Sequence, residues 1–129
     1  MVILVAIEVD LPLIHGKVPL TLNQRLHWRE KARRNALVRD VVHARVQQLR
    51  LPQCGHISVQ LHFATGDNRR RDQDNLVATL KPCLDGITRS GLIRDDTPEH
   101  VTWYSPQIHN GPGVRRLWLE ITITKEMAA

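Results

Sequence analysis

Residues 57–90 read ISVQLHFATGDNRRRDQDNLVATLKPCLDGITRS, and within this stretch the hydrophobic period changes once. Ile57, Val59, Leu61 and Phe63 alternate with Ser58, Gln60 and His62, the two-residue period of a strand with one buried face. Gly66–Asp74 is a polar turn. Beyond it Leu76, Leu80, Cys83, Leu84 and Ile87 share a helical face, which predicts a helix over Asn75–Ser90. Gly91 supplies a natural C-terminal stop, and Pro82 inside the helix removes a backbone hydrogen bond or bends the axis.

Working outward, Asn23–Arg50 contains no Gly or Pro and ends at Leu51–Pro52, a helix stop. Leu37, Val38, Val41, Val42, Val46 and Leu49 fall on one half of its wheel, with Arg39, Asp40, His43, Gln47 and Arg50 opposite, so a long amphipathic helix starts near Arg29. Val2–Val9 (VILVAIEV) reads as a short buried strand, and Leu11–Leu22, with Pro12, Gly16 and Pro19, as irregular. Downstream of the acidic loop Arg94–Glu99, strands are expected at Val101–Ser105 and Val114–Thr124. The loop Pro106–Gly113 (PQIHNGPG) between them lets the two pair antiparallel. The order β–α–β–α–β–β predicts an α/β (α+β) layer fold, one domain over residues 1–129 with a mixed sheet and two main helices.

Composition narrows the function classes. At 42% hydrophobic and 24% charged residues the chain has the balance of a folded globular domain, not of a disordered one. No apolar run approaches the roughly 18 residues of a membrane span. Met1–Val9 is apolar but has no basic region ahead of it, carries Glu8 and is followed by Asp10. It does not read as a signal peptide, and a cytoplasmic location is expected. Cys54 and Cys83 form no CxxC pair, so neither a disulfide framework nor a cysteine zinc site is indicated.

The formal charge is +5, and every cation except Lys17, Lys31, Lys81 and Lys125 is arginine, whose planar fork of donors fits phosphate oxygens. Arg25–Arg50 holds eight basic residues against Glu30 and Asp40, whereas Gly66–His100 holds seven of the thirteen acids. A basic chain with one acidic focus suits a polyanion and a divalent cation. Asp72 and Asp74 stand two apart, so in extended backbone their side chains project to one side, and two such carboxylates call for a proton or a cation between them. A hard ion such as Mg²⁺ takes oxygen ligands of this kind. Asp95 and Asp96 follow the second helix and meet the first pair only if the chain after Gly91 folds back along that helix. The same residues also read more simply: an Asp before a helix is a common cap, three arginines are a solvated turn, and DDTP is a turn.

RRRDQDNL (69–76), LKPCLDGI (80–87) and SGLIRDDTPEHV (90–101) together resemble the RusA family of Holliday-junction resolvases, and Pro19–Arg29 (PLTLNQRLHWR) resembles that family's N-terminal Pro…Asn…Arg/His segment. The likeness spans most of the chain and is specific from about Arg69 to Val101. It implies a homodimer without membrane attachment that cuts four-way DNA junctions by paired symmetric nicks, with Mg²⁺ as cofactor and Mn²⁺ as substitute. It implies metal ligands at Asp72, Asp74 and Asp96, with Asp95 assisting. The family lysine four residues after the second Asp is here Ala78; Lys81, in step with Asp85, matches it if three residues are inserted. Arg69, Arg70 and Arg71 would hold phosphates beside the acids, and Asn23, Arg25, Arg29 and Arg33 would track the DNA arms.

Two other functions fit the same residues: a non-catalytic basic DNA-binding module, and a nuclease of this fold acting on flaps or forks. Among single residues, His56 and His62 are expected to be solvated or hydrogen-bonded, and Asn23 to cap the first helix. Trp103 and Trp118 sit in predicted strands and read as core or interface packing, while Trp28, among arginines, reads as a DNA contact.

Overall fold

The computed structural model describes residues 2–126. They form a single small α+β domain whose elements run β1 (Val2–Leu11), α1 (Trp28–Gln48), β2 (Ile57–Ala64), a 3₁₀ turn (Gln73–Leu76), α2 (Val77–Ser90), β3 (Val101–Trp103), β4 (Gln107–His109) and β5 (Arg116–Glu126). The five strands make one mixed sheet in the order β1–β5–β2–β3, with β4 also on β2. No described helix is long and apolar enough to cross a membrane.

The alternation read in β2 and β5 decides which face is inside. Ile57, Val59, Leu61 and Phe63 are buried, as are Leu117, Leu119, Ile121 and Ile123, and the helices cover this face. α1 applies a narrower stripe than its wheel suggests: Val38, Val42 and Val46 are buried, whereas Leu37 and Leu49 are exposed. α2 crosses α1 at Gly86, where an added Cβ would stand 2.5 Å from the Arg39 carbonyl oxygen and 2.9 Å from Val42 Cβ. Pro82 does not end α2; the helix continues to Ser90, and Gly91 closes it at φ 85°. The missing Pro82 N–H costs the bond to the Ala78 carbonyl, and the buried ring returns packing in its place.

The strand pairing differs from expectation. β5 pairs antiparallel with β1 on one side and with β2 on the other, so neither side is left for residues 101–105. β3 therefore pairs parallel with β2, Ile57 opposite Val101, and so does β4, Phe63 opposite Ile108. Pro106–Gly113 is thus not a hairpin loop; its first half is a three-residue strand. Thr79 joins the irregular segment to α2, its hydroxyl donating to the Leu20 carbonyl at 2.6 Å and accepting from the Leu20 N–H at 3.2 Å.

Candidate functional site

Where β2 ends, the chain turns through Gly66 (φ 73°), packed against the Gly113 carbonyl, into the arginine run. Asp67 organises this loop. It accepts from both terminal nitrogens of Arg71 (2.5 and 2.9 Å), from the Arg69 backbone N–H (3.0 Å) and from Arg115 Nη2 (3.2 Å). The bonds from Arg71, then that backbone N–H, hold the Asp67 carboxyl well below the usual carboxylate range. Arg115 ties the knot to its surroundings, donating to the Thr65 carbonyl at 2.8 Å and to the Gly16 carbonyl at 2.7 Å. Arg115 does not stand out in the sequence, because the carboxylate it meets lies 48 positions away.

The knot shapes an open cleft of about 440 Å³ between the N-terminal segment and the loop. Lys17, Arg69, Arg70, Arg71 and Arg115 line it, together with Thr21, Asn23, Gln24 and Asn75, and Asp72 stands at its margin. Arg71 is committed to Asp67, whereas Arg69 and Arg70 are exposed, Arg69 reaching Asp67 only at 3.6 Å. The Leu22 N–H donates to the Asn75 carbonyl at 3.0 Å, fixing the opposite wall. Such a surface of clustered guanidinium groups, amides and a hydroxyl suits a chain of phosphates.

Asn23 lines this cleft and does not cap α1; the cap is His27, whose Nδ1 accepts from the Arg29 N–H at 3.2 Å. Arg25 is exposed in the segment before α1, and Arg29 and Arg33 are exposed along the helix's first turns, with Arg29 5.1 Å from the Trp28 ring centre and Arg33 paired to Glu30 at 2.7 Å. Trp28 itself is exposed. Trp103 is not core: about half of its surface is exposed in this chain.

The acids fall into two groups. Asp72 and Asp74 are both exposed at the head of the 3₁₀ turn, where the Asp72 carboxylate accepts from the Asp74 N–H at 3.0 Å. Asp95 accepts from the Thr97 hydroxyl (2.5 Å) and then from the Thr97 N–H (3.0 Å), and these bonds lower its pKa. Asp96 is exposed and shares a groove with Arg39, Asp85, Thr88 and Arg89. Between the groups runs α2, 14 residues and so about 21 Å long. The chain after Gly91 returns only beside the second half of α2, where Asp96 shares the groove with Asp85, Thr88 and Arg89. The Leu92 carbonyl accepts from the Cys54 N–H, and the His100 carbonyl accepts from the Ile57 N–H, which keeps residues 92–100 at the start of β2. Among the described residues no group of three or more His, Cys, Asp or Glu side chains is placed to hold a metal ion. Within one chain, then, the donor set does not fit Mg²⁺. Lys81 is exposed on α2 beside Lys31 and Asn35 of α1.

No protein-family model and no curated protein matches this sequence.

Proposed function

We propose that this chain is a RusA-like endonuclease that acts as a homodimer on branched DNA, resolving four-way junctions by paired nicks. The observation that carries the reading is the arginine-lined cleft with Asp72 at its margin, built by the same RRRDQDN segment that bears the family resemblance. Arg69 and Arg70, with side chains free of the Asp67 knot's closest bonds, are the residues for the phosphates flanking the scissile bond. Cations along the start of α1 extend the contact along an arm.

Because one chain separates Asp72 and Asp74 from Asp95 and Asp96, this reading requires a second copy. The exposed stripe of α2 runs Lys81, Asp85, Arg89, alternating in sign one turn apart. Two such stripes laid antiparallel about a two-fold axis midway between Lys81 and Asp85 pair Lys81 of each copy with Asp85 of the other, and set the Asp72/Asp74 end of one α2 beside the Asp96 end of the other. In that dimer the four acids, two from each copy, are the donors for Mg²⁺ or Mn²⁺. Two equivalent sites then follow from symmetry, as paired nicks demand.

Cleavage of a synthetic four-way junction, with and without Mg²⁺, tests the reading. The parent protein is expected to resolve the junction, and Asp74→Asn and Asp96→Asn each to bind it without cutting. Mixed together, those two inactive variants should form heterodimers with one intact shared site and so nick one strand. A silent mixture rules out a site shared between copies, and cutting by Asp74→Asn alone at the parent rate rules out the acid's role.

A second reading, a non-catalytic DNA-binding module, draws on the bonds that Asp72 and Asp95 make as caps of their own turns. It predicts junction binding with no product under any divalent ion. Flaps and forks in the same panel distinguish a nuclease of this fold with a different branched substrate.

A further inference from the structure

The face of the sheet turned away from the helices carries a chain of polar side chains across three strands. His62 Nδ1 of β2 lies 2.9 Å from His109 Nε2 of β4, and His62 Nε2 lies 3.5 Å from Glu120 Oε1 of β5. The imidazoles lie nearly parallel to each other, at 19°, and Trp118 stacks on His62 at 5.0 Å and 7°. Arg116 stands 4.4 Å from the Trp118 ring centre and is itself held by Glu8 and Asp10 of β1, both at 2.8 Å. These are the charged groups that face the pair from β1 and β5; its own strands add only Gln60, Gln107 and small side chains on that face.

Two imidazole nitrogens 2.9 Å apart need one hydrogen between them, one ring donating and the other accepting. If both rings are protonated, both nitrogens carry N–H groups, and the bond becomes a contact between like-charged donors. The pair therefore survives with no added proton or with one, but not with two.

What the pair fastens is the wall of the cleft. β4 has three residues and pairs only with β2 among the described strands. Its His109 carbonyl accepts from the Thr65 N–H at 3.0 Å, and two residues on the Gly111 N–H donates to the Asp67 carbonyl at 2.8 Å. Ile108 and Asn110 flank Arg70 and Arg71. We propose that His62 and His109 form an acid-labile clasp that holds β4, and through it the Asp67 loop and its arginines, against β2. This clasp operates whatever the cleft binds.

The sign follows from counting protons. The opened form takes one on each ring and the closed form one for the pair, so the clasp strengthens as pH rises. On the acid limb the ratio of closed to open falls about tenfold per pH unit.

Amide hydrogen exchange followed by NMR on the full chain between pH 8 and 5, the range over which histidines ordinarily titrate, tests this once rates are corrected for intrinsic chemistry. The Thr65 and Gly111 amides are expected to open about tenfold more per pH unit on the acid limb, while core amides of β5 such as that of Leu119 do not follow. In His109→Gln, which keeps a neutral hydrogen-bonding side chain, the acid limb should vanish. A flat parent profile overturns the clasp, as does an unchanged slope in the variant. If His109→Gln releases β4 at every pH, ring-nitrogen spectra of the parent decide. Both rings changing together with Thr65 opening supports the clasp, and rings that titrate while Thr65 stays protected refute it.

Discussion

Replacing Gly86 by Ala sets two effects of known size against each other. Inside a helix the change should stabilise, by about 1 kcal/mol from propensity alone. Here the new methyl would stand 2.5 Å from the Arg39 carbonyl oxygen, 2.9 Å from Val42 Cβ and 3.1 Å from the His43 nitrogen. Two of those three atoms are backbone and none can swing aside, so α2 must lift off α1 by about an ångström. That forfeits a sizeable part of the dispersion contact along the seam. Overpacking of this kind costs about 1–3 kcal/mol and more where backbone must move, so the upper part of that range applies and outweighs propensity. The net loss is about 1–2 kcal/mol, a fall in melting temperature of about 5 °C or more. Urea unfolding followed by circular dichroism reads it directly. Gly55→Ala, with nothing within 4 Å of its Cβ, is the control and should stay within about 0.5 kcal/mol of the parent. A Gly86→Ala protein as stable as the parent, or more so, would mean that the helices do not approach as closely as described.

Three further outcomes follow from the same geometry. Under the proposed DNA-binding role, Arg70→Ala should weaken binding to every DNA of a branched panel alike and reduce the slope of log affinity against log salt by about one, as measured by titration at several salt concentrations; an unchanged slope removes Arg70 from the proposed phosphate contacts. Hydrogen bonds from Arg33, then Arg34, lower the Glu30 pKa from 4.5 to about 2, so the stability that this carboxylate contributes is complete above 4.5 and is lost as pH falls toward 2. A carbon-13 titration of its carboxyl should show that low midpoint in the parent and a rise in Arg33→Ala. The Cys83 thiol is fully buried, and burial pushes its pKa up, so it should resist alkylation in native buffer and react only as urea unfolds the chain; prompt labelling of Cys83 would contradict its burial.

The long elements were legible because each carries its own period. β2 and β5 alternate cleanly, and the uninterrupted run before Leu51–Pro52 can only be a helix. The short ones were not. Gln107–His109 sits among Pro, Asn and Gly residues that signal a turn, and becomes a strand only because β2 offers an edge. The expected pairing of residues 101–105 with the last strand gave way because β1, ten residues long, aligns with β5 along its whole length and outbids a local hairpin. Leu37 and Leu49 lie on the apolar half of the wheel, yet the α1 contact follows the single row 38, 42, 46. At the site, the acids and arginines could be picked out by type and spacing. The Asp67–Arg115 bond and the His62–His109 bond could not, since they join residues 48 and 47 positions apart with no local pattern to announce them.

The register that sets Val9 against Leu119 and Leu11 against Leu117 has a consequence during synthesis. Of the described strands VILVAIEVDL is the earliest synthesised, and its partner is the latest. A growing polypeptide therefore carries a bare, β-prone ribbon until residues 116–126 leave the ribosome, long enough for neighbouring nascent chains to pair with it. Truncation before Arg116 would make that exposure permanent, and such fragments should collect in inclusion bodies while the intact chain stays in solution.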